Sequence, residues 1–344
     1  MKKIIWAIVL MIAATACKKV LVTDQDSRAN SEQAPENSAP PPQWYSVGVP
    51  TMTTYPFNNP DFHNLMIPCA NTVYCLMSDL YDVHYKLDTT TLIWSEVTSN
   101  NSSFSVFSVG YQYMFSYKSK IYYGMMPGGS EYNETAFGAF NPATGATYNL
   151  ANFPGTAVTD ACFYVYGDKG YLVSGKDMHS QTTVNQFWEY NFATDQWTDK
   201  GSSPVGVRAG ASAFVAGTKV YIGFGYNYAS FNGTIVKLYK DDWLQYTPAS
   251  GVTVAKADFT ANNRASVKGF VVNGTVYLGF GYSGVTNYTD FWKYDPVLNV
   301  WIQKNNWPGV AGPENTIHSV AFGNKGFVVK GALNSFWRFF ENGE

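Results

Sequence analysis

Charge is scarce in this 344-residue chain: Asp, Glu, Lys and Arg make up 14% of it, and the formal net charge is −2. No long basic run occurs, so the electrostatic footprint of a phosphate-backbone binder is missing and nucleic acid is not expected as a partner. Histidine is limited to His63, His84, His179 and His318, with no close pair to start a metal site. There is no nucleophile elbow, phosphate loop or paired-cysteine metal motif, so no catalytic residue, metal or other cofactor is expected. Helical periodicity is hard to find after residue 20, which argues against a helical fold.

Aromatic residues, in contrast, reach 17% of the chain, a composition suited to pleated, half-buried strands. They recur in a unit made of an apolar run, a two-residue turn, a second apolar run carrying an aromatic, then a glycine. The aromatic falls at Tyr74, Tyr122, Tyr171, Tyr221, Tyr277 and Phe327, in steps of 48, 49, 50, 56 and 50 residues. A period near fifty is too long for a helical solenoid and fits a four-stranded propeller blade.

The turn pairs include Gly167-Asp168, Gly217-Thr218 and Asn273-Gly274, which predict tight hairpins with positive φ at both central residues. Third strands follow at Phe187-Trp188-Glu189-Tyr190, Phe291-Trp292-Lys293-Tyr294 and Phe336-Trp337-Arg338-Phe339. Trp94, Trp197 and Trp301 lie seven residues beyond Leu87, Tyr190 and Tyr294, marking fourth strands, with Thr253 in that place in the fourth unit. Alternation along these strands puts the large rings between neighbouring blades. Gly223-Phe224-Gly225 and Gly279-Phe280-Gly281 end strands with no helix after them, so they read as structural glycines rather than nucleotide fingerprints. The last unit stops after Phe340 without a fourth strand, whereas Gln43 to Val47, before the first unit, has that pattern. The expected fold is an all-β, six-bladed propeller over residues 43–344, its last blade closed by the N-terminal strand, so that no sheet edge is left open by an incomplete blade.

This order of glycine region, aromatics and distant tryptophan resembles the kelch repeat, over about residues 44 to 340. Similar propellers include the copper enzyme galactose oxidase and the sialic acid epimerases, so the resemblance implies a scaffold that hosts both binding and catalysis.

The N-terminus reads differently. Lys2 and Lys3 precede an apolar stretch from Ile4 to Ala14, the plan of an export signal and too short to span a bilayer. Ala14-Thr15-Ala16-Cys17 resembles the bacterial lipobox, which implies a signal peptide over residues 1–17, lipidation of Cys17 and a membrane partner through that lipid. In similar lipoproteins a lysine such as Lys18 goes with the outer membrane, on its periplasmic or outer side. Residues 18–42 are polar and then proline-rich, the composition of a disordered tether with a reach on the order of 30 Å. In an oxidising compartment Cys69 and Cys75 are candidates for a disulfide, but the predicted turn puts them on opposite hairpin faces, so none is expected. Cys162 reads as a small buried hydrophobe.

Candidate site residues follow from the repeat. The position thirteen residues before each aromatic begins the innermost strand, and around the ring it reads Asp61, Val109, Val158, Arg208, Arg264 and Glu314, with Asp160 close behind Val158. Arg208 and Arg264 either grip a ligand carboxylate bidentately or pair with Asp61, Glu314 or backbone carbonyls and fill the channel mouth. They also resemble arginines of kelch domains that bind acidic peptides. Loops on one face carry Tyr226, Tyr228, Phe231, Tyr282, Tyr288 and Trp307, a surface suited to sugar rings or protein loops. The function expected is a non-catalytic binding module for a protein or glycan. The alternatives are a carbohydrate-active enzyme of the epimerase or oxidase type and a structural envelope protein.

Overall fold

A computed structural model describes residues 44–47, 65–70, 72–76, 84–97, 113–124, 134–309, 317–330 and 336–341. The predicted signal peptide with Cys17, the tether, Asp61, His63 and Glu314 lie outside the described residues. Among the described residues there is no helix; they form six four-stranded antiparallel sheets and two two-stranded ribbons. Each of the first five sheets takes its strands in chain order. The third blade, for instance, runs Cys162–Tyr166, Lys169–Val173, Phe187–Asn191 and Gln196–Asp199. The first strand of every blade touches the first strand of the next, and Ile317–Phe322 returns to Leu65–Cys69, so the six sheets close into a propeller.

Closure depends on the two ends of the chain. Trp44–Ser46 pairs antiparallel with Phe336–Phe339 as the fourth strand of the sixth blade, with Trp44 opposite Phe339. The Trp44 ring lies 4.8 Å from Phe291 and 5.0 Å from Phe339, and its Nε1 donates to the Asn305 carbonyl at 2.8 Å. The N-terminal strand is therefore bonded both to its own blade and to the fifth.

The core sits between blades and is largely aromatic. Trp197 lies directly opposite Tyr190, and Trp301 opposite Tyr294, as the seven-residue spacing requires. Each tryptophan then donates to a carbonyl on the segment leading out of the preceding blade, Trp197 to Ala151 at 3.0 Å and Trp301 to Ala257 at 2.9 Å. Trp243 of the fourth blade packs 5.2 Å from Trp301 and 5.7 Å from Tyr294 of the fifth. Large rings bury apolar area and stack edge-to-face, so each blade is held mainly by its neighbours.

The turns differ in one respect from expectation. Of the three turns named above, Asn273-Gly274 alone has both central residues at positive φ, 50° and 74°. In Gly167-Asp168 and Gly217-Thr218 the first residue alone is left-handed, so the glycine is needed at one position and the second tolerates an ordinary side chain. Cys69 pairs with Thr72 as the turn predicts, and Cys69 and Cys162 are buried free thiols.

Near the C-terminus Glu341 reaches Lys293 at 2.5 Å and Lys304 at 3.9 Å, tying the sixth blade to the fifth. Burial opposes ionisation of Glu341, but hydrogen bonds from Lys293 and Tyr277, with the two lysine charges, outweigh it and hold the carboxyl below its usual value. A depressed folded-state pKa contributes stability above the unfolded pKa that is lost as pH falls through the folded value. Glu341→Gln is accordingly expected to flatten the acid limb of the stability–pH curve, read from thermal midpoints between pH 3 and pH 7. Trp44→Ala is expected to cost about 3–5 kcal/mol in chemical denaturation; an unchanged midpoint would refute closure by this strand.

Candidate functional site

Three successive blades share one local geometry at the ring mouth. After the second strand the chain reaches Gly175, Gly225 or Gly281, at φ 121°, 93° and 85°. A Cβ on Gly225 would lie 2.5 Å from the Ala209 carbonyl oxygen, and one on Gly281 2.5 Å from that of Ala265, so only glycine fits. The next residue then pairs back onto the start of the innermost strand. Tyr226 bridges Ala209 and Tyr282 bridges Ala265, in positions equivalent to Lys176 beside Thr159. The repeat's glycines thus place Tyr226 and Tyr282 at the mouth.

In the fourth blade the segment after Tyr226 becomes a ribbon, Tyr226–Phe231 paired with Thr234–Tyr239. One face of it carries Tyr226, Tyr228, Lys237 and Tyr239. Tyr226 stands edge-on to Tyr228 at 5.5 Å, Tyr239 is 6.0 Å from Tyr226, and Tyr282 is 6.1 Å from Tyr239. Lys237 Nζ lies 4.1 Å above the Tyr226 ring. Tyr226 itself is buried, and its hydroxyl donates to Asp160 Oδ2 at 2.9 Å. Burial first, and then the Asp160 carboxylate, push its phenol pKa well above the ordinary value. Tyr282 donates to the Gly284 carbonyl, and Tyr288 to Ser283 Oγ at 2.9 Å. Phe231 at the ribbon tip is exposed, as are Ile235 and, nearer the base, Leu238. Trp307, in contrast, is 2% exposed and packs on Phe280, so it belongs to the core.

The two arginines are occupied. Arg208 Nη1 and Nη2 each hold one oxygen of Asp242 at 2.7 Å, and Nη1 also donates to the Phe224 carbonyl at 3.1 Å. Arg264 does the same with Asp290 at 2.6 and 3.0 Å and with the Phe280 carbonyl at 3.0 Å. Its guanidinium also lies 3.9 Å from the Tyr288 ring centre and 4.9 Å from that of Phe259. Both arginines are buried, at 4% and 0% exposure. Each fork therefore clamps the start of its blade's innermost strand to the end of the second and the start of the third. Bidentate guanidinium–carboxylate geometry makes Arg the residue for this role.

Asp242 and Asp290 were not singled out from the sequence, yet a signal was present. Each stands immediately before the first aromatic of a third strand, Trp243 and Phe291, in the two blades whose innermost strand opens with an arginine. The third blade has Val158 and Gln186 in those two places. Lys237 and Tyr239 were missed because a long inter-strand insertion gives no hint that it folds back as a ribbon.

Toward the axis a cavity of 210 Å³ is bordered by Ala161, Cys162, Ala211, Ser212, Lys268 and Gly269 among others, all from innermost strands or the residues that lead into them. Among the described residues no group of three or more His, Cys, Asp or Glu side chains is arranged to hold a metal ion. His179 is exposed and pairs with Glu134 at 2.7 Å.

Removing one partner of a buried, hydrogen-bonded pair leaves an uncompensated charge. Arg264→Ala is expected to lower stability by about 3–5 kcal/mol, and Arg264→Met with Asp290→Leu to recover part of that loss. Urea melts in which the double variant is no more stable than the single one would refute the coupling.

No protein-family model matches the chain, and no curated protein matches it. Among solved structures 616 chains match, so the fold is a common one and cannot by itself select an activity. One of them, described as "Structure of YjhT", is 16% identical, covers 85% of this chain and 96% of its own, and has a TM-score of 0.59. At that identity the likeness concerns architecture: this chain shares its propeller fold with that structure.

Proposed function

We propose that this chain is an exported, lipid-anchored, kelch-like propeller that acts as a non-catalytic binding module, taking a protein or glycan on its loop-rich face. The observation that carries this reading is the set of partly exposed tyrosines Tyr228, Tyr239 and Tyr282 packed around the buried Tyr226, placed by glycine-dependent turns beside the exposed carboxylate of Asp160. Aromatic bodies with polar tips, fixed in place before a ligand arrives, suit recognition because little ordering cost remains at binding.

A non-catalytic role accords with the chemistry of that surface. General acid–base work is served by groups whose pKa lies near the working pH. The Tyr226 phenol is displaced in the opposite direction, so at neutral pH it keeps its proton and serves as a hydrogen-bond donor. The two guanidiniums of the mouth are engaged by Asp242 and Asp290. Membrane anchoring rests on the Ala14-Thr15-Ala16-Cys17 motif and on residues 18–42 as a spacer.

A combined glycan and peptide array tests the binding reading. The chain is expected to capture a ligand, and Tyr228→Ala and Tyr282→Ala to reduce capture at an unchanged thermal midpoint. No capture by the parent chain refutes a binding role, and turnover of a sugar or stoichiometric copper refutes the non-catalytic one. Independently, Cys17→Ser is expected to move the exported chain from the membrane to the soluble fraction; retention in the membrane fraction would refute lipid anchoring at that residue.

A further inference from the structure

Asp160 breaks the internal symmetry of the mouth. It stands eleven residues before Tyr171, and the same place in the next two blades holds Gly210 and Ser266. All three backbones are left-handed, with φ of 52°, 65° and 56°. The hydrogen bonds between blades continue through them, Gly210 N–H to the Asp160 carbonyl at 2.8 Å and Ser266 N–H to the Gly210 carbonyl at 2.9 Å. A glycine or serine thus satisfies the fold at this position, and the ring does not require a carboxylate there. A side chain in this conformation also costs more than glycine.

The carboxylate is nonetheless held in place. Tyr226 of the following blade donates to Oδ2, and the Tyr228 ring stands edge-on to Tyr226 at 5.5 Å. For the corresponding tyrosine one blade on, Tyr282, the repeat has Gly210 in the place of Asp160, and its hydroxyl donates to the Gly284 carbonyl instead. Among the described residues Asp160 Oδ1 has no partner, and Asp160 is exposed. The next residue, Ala161, borders the axial cavity.

We propose that this corner is a subsite for a neutral saccharide, an inference that rests on the binding-module reading above. A carboxylate with a free oxygen accepts hydrogen bonds from sugar hydroxyls, and charge-assisted bonds of this kind are roughly twice as strong as neutral ones. Tyr228 supplies a half-buried ring beside it for the apolar side of the pyranose. An acidic saccharide meets the Asp160 charge at short range, where repulsion is strongest, and finds both guanidinium forks already bidentate to aspartate. The adjoining open depression of about 210 Å³ along the innermost strands has room for a sugar ring beside Asp160.

The test uses the full-length chain in detergent on an array of neutral oligosaccharides ending in galactose, glucose, mannose or N-acetylglucosamine, with matched sialylated and glucuronylated forms. Calorimetry then follows the best neutral probe. Neutral probes are expected to bind better than their acidic counterparts. Asp160→Asn, which keeps the left-handed backbone, is expected to weaken binding by about tenfold or more, and Tyr228→Phe, which removes only a hydroxyl, by less. A preference for the acidic set, or neutral binding unchanged in both variants, overturns the neutral-saccharide subsite and leaves the binding module standing. Capture of peptides with no glycan bound has the same meaning. Absence of both kinds of ligand overturns the two readings together.

Discussion

The pairing of Trp44–Ser46 with Phe336–Phe339 is the contact on which the rest of this structure depends. A propeller blade has little core of its own, because the large side chains of each sheet are buried against the adjoining sheet. Phe137, for example, packs 4.7 Å from Tyr190 and 5.1 Å from Trp197 of the next blade. Stability of that kind is cooperative around the ring, and a gap at one junction exposes aromatic surface on both sides. Joining the first described strand to the last removes the gap, with Trp44 bonded to Asn305 and stacked on Phe291 of the fifth blade.

The mouth of the ring shows how the same repeat serves two ends. In the fourth and fifth blades an arginine–aspartate fork and a glycine with positive φ hold the innermost strand, and nearly all of that polar chemistry is turned inward. What remains outward is the part in which the blades differ: Asp160 in one, the ribbon Tyr226–Phe231 and Thr234–Tyr239 in another, Tyr282 in a third. Shared positions build the scaffold and divergent ones present chemistry to a ligand. For the same reason the arginines, which look like ligand groups in the sequence, are structural in their contacts, while Asp160 keeps one oxygen without a partner among the described residues.

Much of the architecture was legible beforehand because it is set by local rules. Turn glycines, period-two alternation and the seven-residue step from Tyr190 to Trp197 or Tyr294 to Trp301 each depend on residues close in the chain, and the register follows. Even closure was legible, since a missing strand at one end and a surplus one at the other leave few alternatives. Legibility failed where a side chain's partner lies on another element. Trp307 looked like a loop aromatic but fills space against Phe280, and Tyr226 is buried although its place in the repeat is at the mouth.

By itself, then, the sequence determined the number of blades, their strand order and the positions that must be glycine, because these follow from backbone geometry repeated every fifty or so residues. Only the tertiary structure decided which charges are spent. A guanidinium presents the same fork to an aspartate of its own blade as to a ligand, and the choice depends on whether a carboxylate lies within about 3 Å. Asp242 and Asp290 lie 34 and 26 residues from their arginines, so that proximity exists only once the blade has folded.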